Sequence, residues 1–306
     1  MLLGAVLLAA VLTGCGQGQG EGFVPPGEGS GSYEPPPLLT NTWQDEGAVS
    51  GGGGAIDLSG VSQGYVGVRY NGPSRVKFKV TCGEEKYYYD GVSGDGRPAY
   101  FPLQMGSGAY TFTLLTQVEG TTYATALTAE ANVQLESELA PFLRPSRYVD
   151  YDENSACVEL FYQITQSCDT DADVVAAVYA YIRDNIAYDK ERAAQESERS
   201  SGYYLPDLDQ VLESKKGICF DYAALAAAML RAGGIPTKMV FGYVSGDLYH
   251  AWNLIYLEEE GWIAVKLYVD RDTWTIIDLT FAAGSGDASV LKYIGDGSNY
   301  SQLYVY

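Results

Sequence analysis

The chain is nearly devoid of histidine: His250 stands alone among 306 residues. With one imidazole and no Cys-x-x-Cys pair, a structural zinc site is not expected, and nothing in the sequence calls for a metal or cofactor. Basic residues are scarce too, 19 Lys plus Arg against 39 Asp plus Glu, for a formal charge of −20 at pH 7. Binding to nucleic acid depends on clustered cations against phosphate, so that partner class is excluded. No apolar run reaches the roughly 18 to 20 residues that span a bilayer. The longest, residues 1–14, has the length of the apolar region of an export signal. Cysteine is sparse, at positions 15, 82, 157, 168 and 219. A Cys157–Cys168 bridge and reduced buried thiols are both compatible with that spacing. What is abundant is apolar surface, 46% of residues, enough for two modest domains with real cores.

The opening run ends in Leu12-Thr13-Gly14-Cys15, which resembles the lipobox of bacterial lipoproteins. The resemblance implies a lipidated Cys15 and an extracytoplasmic protein held to the bacterial cell membrane by a two-chain anchor. The alternative is a secretory signal with a chance cysteine. Residues 15–59 are rich in Gly, Pro, Ser and Glu, including four consecutive glycines at 51–54. Such a stretch has no periodic apolar face and reads as a flexible tether. Over 60–140 the period is two: Val76, Phe78 and Val80 alternate with lysines, and Tyr110, Phe112 and Leu114 with threonines. Turn residues separate these runs, which predicts a small antiparallel β-sandwich. Tyr87-Tyr88-Tyr89 in that region is either a ligand platform or a set of strand aromatics facing a core or neighbouring domain.

Residues 141–306 form the second predicted domain, mixing helices with strands. Val174, Val175, Val178, Ile182 and Ile186 make a helical stripe behind the acidic cap Asp169-Thr170-Asp171. That triplet is not an EF-hand, because Val174 and Ala180 stand where Gly and a bidentate Glu are needed. Residues 190–201 read as a loop and 207–214 as a short helix. Cys219 opens an Ala-rich run that stops at Gly233-Gly234-Ile235-Pro236, a helix buried nearly all round. Four strand-like runs follow, at 237–245, 249–257, 262–269 and 274–281.

A thiol nucleophile needs a base that titrates near neutral pH, so His250 is the only imidazole partner available to Cys219. The first turn of a helix aims free N–H groups and positive dipole at the sulfur, which favours thiolate. Asp221 reads as a carboxylate anchoring that turn or a nearby loop. Asp278, in Ile276-Ile277-Asp278-Leu279, is placed to orient the imidazole as the third member of a triad, with two neighbouring strands presenting His250, on the Trp252 face, and Asp278 over the helix that presents Cys219. A purely structural pairing with Arg271 or Lys266 is the alternative.

The runs Asn185-Ile186-Ala187-Tyr188-Asp189, Lys216 to Ala223, Met229 to Pro236, Gly242-Tyr243, His250-Ala251-Trp252-Asn253 and Trp274 to Phe281 together resemble the transglutaminase-like core, in order and spacing. The resemblance covers about residues 171–281. It implies an α+β, papain-related catalytic fold of helices on an antiparallel sheet, with Cys219 as nucleophile, His250 as general base and then acid, and Asp278 as orienter. Tyr188 and Tyr204 are candidates to assist the oxyanion or to pack, and Trp252 lines the cleft. The implied substrate is a peptide or protein, cell-wall peptide included, cleaved, deamidated or cross-linked through a thioester; a non-catalytic peptide- or wall-binding module is the rival. Oligomeric state is not legible.

Overall fold

Strict alternation of apolar and polar residues lets a sheet bury one face, and two such sheets close the first domain. A computed structural model describes residues 30–197, 203–244, 248–269, 276–280 and 301–306. One sheet joins β1 (Ala48–Gly51), β2 (Gly54–Asp57), β3 (Tyr65–Tyr70) and β6 (Ala99–Pro102) in that order. The other runs β5 (Glu85–Tyr89), β4 (Val76–Cys82), β7 (Gly108–Glu119), β8 (Thr122–Val133). Ile56, Val66, Val68 and Phe101 from the first meet Phe78, Val80, Phe112 and Leu114 from the second, all fully buried. Phe78 bridges the two sheets, its ring 4.9 Å from that of Phe101.

Of the tether expected over 15–59, the described part, residues 30–59, is ordered against the folded domains. The four glycines are the β1–β2 hairpin: Gly51 pairs with Gly54, and Gly52 and Gly53 have φ of 58° and 79°. Two successive left-handed residues are what a type I′ turn requires. Upstream, the backbone and side chains of Ser30 and Ser32 make four hydrogen bonds to the Asp169 carboxylate at 2.7–3.0 Å. Tyr33 donates its N–H to the Cys168 carbonyl and its hydroxyl to that of Gly233, 3.0 and 2.6 Å. A polar segment can thus be ordered by hydrogen bonds to a folded surface without an apolar face of its own, and the sandwich begins at Ala48 rather than residue 60. The expectations for residues 1–14 and Cys15 lie outside the described residues.

In the second domain α1 (Ala156–Ile164), α2 (Asp171–Asn185), α4 (Leu208–Ser214) and α5 (Cys219–Ala232) surround a buried apolar centre. Thr170 caps α2 reciprocally with Asp173. Between α2 and α4 lie β9 (Ala187–Tyr188) and α3 (Lys190–Ser197). The expected loop at 190–201 therefore contains a helix. Asp189 caps it through the Arg192 N–H at 2.9 Å, and none of its residues is buried, so no apolar period announced it. After β10 (Lys216–Gly217), parallel to β9, comes α5 and then the antiparallel strands β11 (Thr237–Val244), β12 (Leu248–Leu257), β13 (Gly261–Val269), β14 (Ile276–Thr280) and β15 (Ser301–Val305). Their order in the sheet is β14-β13-β12-β11-β15.

The two domains meet in aromatic rings. Tyr306, past β15, touches Tyr87, Tyr89, Tyr148 and Phe241 with centroids 4.8–5.7 Å apart. Tyr87 and Tyr89 of the tyrosine triplet thus pack against the five-stranded sheet of the second domain. Arg231 fixes the far end of α5: its buried guanidinium donates to the carbonyls of Thr237, Arg144 and Tyr306 at 2.8–3.3 Å.

Candidate active site

Cys219 is the first residue of α5, after Ile218 in extended conformation. Two short features hold this turn. The parallel β9–β10 pair seats Tyr188 opposite Gly217, two residues before Cys219. Gly217 itself is required, since a Cβ there would come within 2.8 Å of the Asp221 Cβ. Asp221 is the anchor anticipated for it: Oδ2 accepts the Ile218 N–H at 2.8 Å and Oδ1 the Tyr204 hydroxyl at 2.6 Å. The Tyr204 hydroxyl is thereby committed to Asp221.

β12 approaches the sulfur with an open edge. Its residues Asn253–Leu257 pair with β13, whereas Leu248–Trp252 pair only with β11 among the described residues. The Ala251 N–H, with no strand partner on that side among the described residues, lies near the Cys219 sulfur, and its dipole and those of the Phe220 and Cys219 N–H groups lower the thiol's pKa. These three dipoles favour thiolate, as the helix position predicts. Burial outweighs them: desolvation first, then the charge of Asp221, push the thiol up to about 11. A thiol so raised needs a base to take its proton as it attacks.

His250 is the candidate base: Cys219, His250 and Trp252 line one narrow pocket, together with Tyr179, Tyr222, Ala223, Ala251 and Asn253. The His250 and Trp252 rings lie nearly parallel, 6.5 Å between centroids. The helix does not pack on their face, as the sequence suggested. Buried Ala251, Asn253 and Ile255 form the opposite face of β12, and Asn253 Nδ2 donates to the Ala223 carbonyl of α5 at 3.0 Å. His250 and Cys219 therefore meet around the open strand edge rather than across a sheet face. Tyr188 is half-buried nearby, its ring 6.2 Å from that of Tyr222. Asp278 lies in β14 opposite Tyr268, with β13 between its strand and that of His250, so the two strands are not neighbours as expected.

Sequence reading missed Tyr179 and Asn253. Tyr179 of α2 donates its hydroxyl to Asn253 Oδ1 at 2.7 Å, and both are fully buried. The available signal was an amide between Ala251 and Ile255 on the buried side of a strand, where a polar side chain needs partners. The remaining cysteines take no part: Cys82, Cys157 and Cys168 are free thiols, and burial raises all three, Cys157 to about 12 and Cys168 to about 11.

Part of this chain is similar to known proteins. Residues 158–267 match the family model of the transglutaminase-like superfamily. Kyphoscoliosis peptidase of Mus musculus is 30% identical over 146 residues, 44% of this chain and 19% of that protein. Protein-glutamine gamma-glutamyltransferase of Pseudomonas aeruginosa is 34% identical over 70 residues, 19% of this chain and 10% of that protein. This chain thus spans at most a fifth of these relatives. A crystal structure of red sea bream transglutaminase aligns with 66% of this chain and 47% of its own at 13% identity, TM-score 0.30. The segment from residue 158 to 267, built around Cys219 and His250 on an α+β scaffold, is a domain of the transglutaminase-like superfamily.

Proposed function

We propose that this chain is a cysteine peptidase or amidase that opens a peptide or carboxamide bond through a thioester. The observation that carries the reading is the Cys219 sulfur at a helix N-terminus, in a pocket shared with the only histidine. Cys219 passes its proton to His250 as the sulfur bonds to the carbonyl carbon. The oxyanion is stabilised by main-chain N–H groups of the first turn of α5. The C–N bond then breaks, the amine leaves with the proton from His250, and a thioester remains. Water, losing a proton to His250, attacks the thioester and releases the carboxylate and the thiol. Asp278 is assigned the role of orienting His250, and a lipidated Cys15 that of holding the enzyme on the outer side of the bacterial membrane.

A second reading, transfer of the acyl group to a lysine amine, draws support from the likeness to the gamma-glutamyltransferase. Water and amine compete for the same thioester, so the cleft's access decides between them. Mass spectrometry of the full chain with a thiol-directed activity probe and peptides containing Gln and Lys separates the two. A mass gain of the substrate acyl group on Cys219, followed by shortened or deamidated peptide, supports hydrolysis. Linked peptides support transfer, and a probe that labels nothing at Cys219 sinks both.

A further inference from the structure

Cys219 and Ala223 are one helical turn apart on α5, and Ala251 and Asn253 are two residues apart on the buried face of β12. Four residues of helix advance about 6 Å and two of strand about 6.6 Å. The two repeats match, so helix and strand can be joined by successive rungs. At the first rung Ala251 and Cys219 line the same pocket, with the Ala251 N–H dipole favouring thiolate, and the second is the hydrogen bond from Asn253 Nδ2 to the Ala223 carbonyl at 3.0 Å. Asn253 Nδ2 also reaches the Lys238 carbonyl of β11 at 3.4 Å, and its Oδ1 takes the Tyr179 hydroxyl at 2.7 Å. An amide is the side chain that can both donate to a helix carbonyl and accept from a phenol; a carboxylate would lose the donor and an aliphatic group both.

We infer that Tyr179 and Asn253 are positioning residues for Cys219, fixing the second rung so that the Ala251 N–H stays near the sulfur. Without that rung β12 is free to shift along α5, and a few tenths of an ångström at Ala251 weakens the one strand-derived dipole that favours thiolate. The catalytic consequence rests on Cys219 being the nucleophile; the ladder itself does not.

The test uses the full chain and iodoacetamide, following alkylation of Cys219 by peptide mass spectrometry between about pH 8 and 10. Tyr179→Phe removes one hydroxyl, and Asn253→Ala removes the rung without adding charge. Tyr151→Phe, another buried phenol whose hydroxyl has no hydrogen bond, is the control. Both ladder variants are expected to alkylate Cys219 about tenfold more slowly at each pH, the effect of a one-unit rise in thiol pKa, with Tyr151→Phe unchanged. In turnover kcat falls and KM holds within about twofold. Lower unfolding midpoints with an unaltered Cys219 alkylation profile would make the pair merely structural and overturn the inference. If alkylation slows in the variants while the wild type turns over no peptide, the ladder stands and the proposed function falls.

Discussion

The Tyr204 hydroxyl donates to Asp221 Oδ1 at 2.6 Å, which ties residues ahead of α4 to the first turn of α5. Asp221 is 1% exposed, and desolvation raises its carboxyl above the ordinary value, partly offset by Tyr204 and the Ile218 N–H. A charge kept there beside the thiol opposes thiolate formation. Asp221→Asn is expected to speed Cys219 alkylation at pH 8 by roughly three- to tenfold, through loss of that charge. Tyr204→Phe leaves a buried carboxylate oxygen short of a donor and should cost about 1–3 kcal/mol of stability. Alkylation rates and urea midpoints of the two variants check both, and an unchanged rate in Asp221→Asn would refute the electrostatic link.

For Cys219 the sign of the pH dependence follows from burial. Its folded pKa, about 11, exceeds the ordinary thiol value, so the folded state binds the proton more tightly than the unfolded state does. Its contribution to stability is intact below the ordinary thiol pKa of about 9 and is lost as pH rises toward 11. Alkylation should accordingly be slow near pH 6 and climb through pH 10. Fast labelling at pH 6 that His250→Ala abolishes would reveal a thiolate–imidazolium pair and overturn this expectation.

The strands of the five-stranded sheet and the helix α5 were legible because their apolar periods are long and their ends are punctuated. Gly233-Gly234-Ile235-Pro236 stops α5, and Gly261, at φ 72°, turns β12 into β13. The N-terminal strap was not legible: Ser30, Ser32 and Tyr33 gain order from Asp169, Cys168 and Gly233, more than a hundred residues away. The face on which α5 packs was misread because Trp252, also buried, drew the reading to the His250 side. Alternation alone assigns two faces but not which one a helix covers. For the Cys219 thiol, the dipoles are visible in a helix start, whereas desolvation, which raises it, depends on everything folded over it.

Arg231 carries the end of α5. It is 1% exposed, its partners are main-chain oxygens, and burial lowers its pKa to about 10. Arg231→Leu leaves the Thr237, Arg144 and Tyr306 carbonyls short of donors and should cost upwards of about 3 kcal/mol. Arg231→Lys should recover only part, since an ammonium cannot fork to carbonyls on three segments. Equal midpoints for Arg231→Lys and wild type would show that charge, not geometry, is what the site requires.

Asp169 fastens the strap, and hydrogen bonds from Ser30 and Ser32 hold its carboxyl well below the usual carboxylate range. A depressed carboxyl stabilises the bound form above its ordinary pKa of about 4 and loses that contribution as pH falls below it. Protease cleavage near residues 30–33 is therefore expected to be slow at pH 7 and faster with an acid-active protease near pH 2. Asp169→Ala should be cleaved rapidly at both. Equal resistance of the variant at pH 7 would show that Tyr33, through Cys168 and Gly233, suffices to hold the strap.

Asp278 offers the sharpest test of the assigned triad. Its strand is apolar at Ile276, Ile277 and Leu279, so a carboxylate there calls for a charged or hydrogen-bonded partner. The register sets Lys266 opposite Thr280, two pairs along from Tyr268–Asp278, which leaves a structural ion pair as the competing explanation. An amide in place of the carboxylate can set the imidazole in the wrong tautomer and cannot stabilise its protonated form. Asp278→Asn should then slow single-turnover acylation by up to about four orders of magnitude while the unfolding midpoint moves little. Lys266→Met should leave acylation untouched. If Asp278→Asn instead acylates at the wild-type rate and unfolds at lower temperature, Asp278 is a structural partner and His250 is oriented by another group.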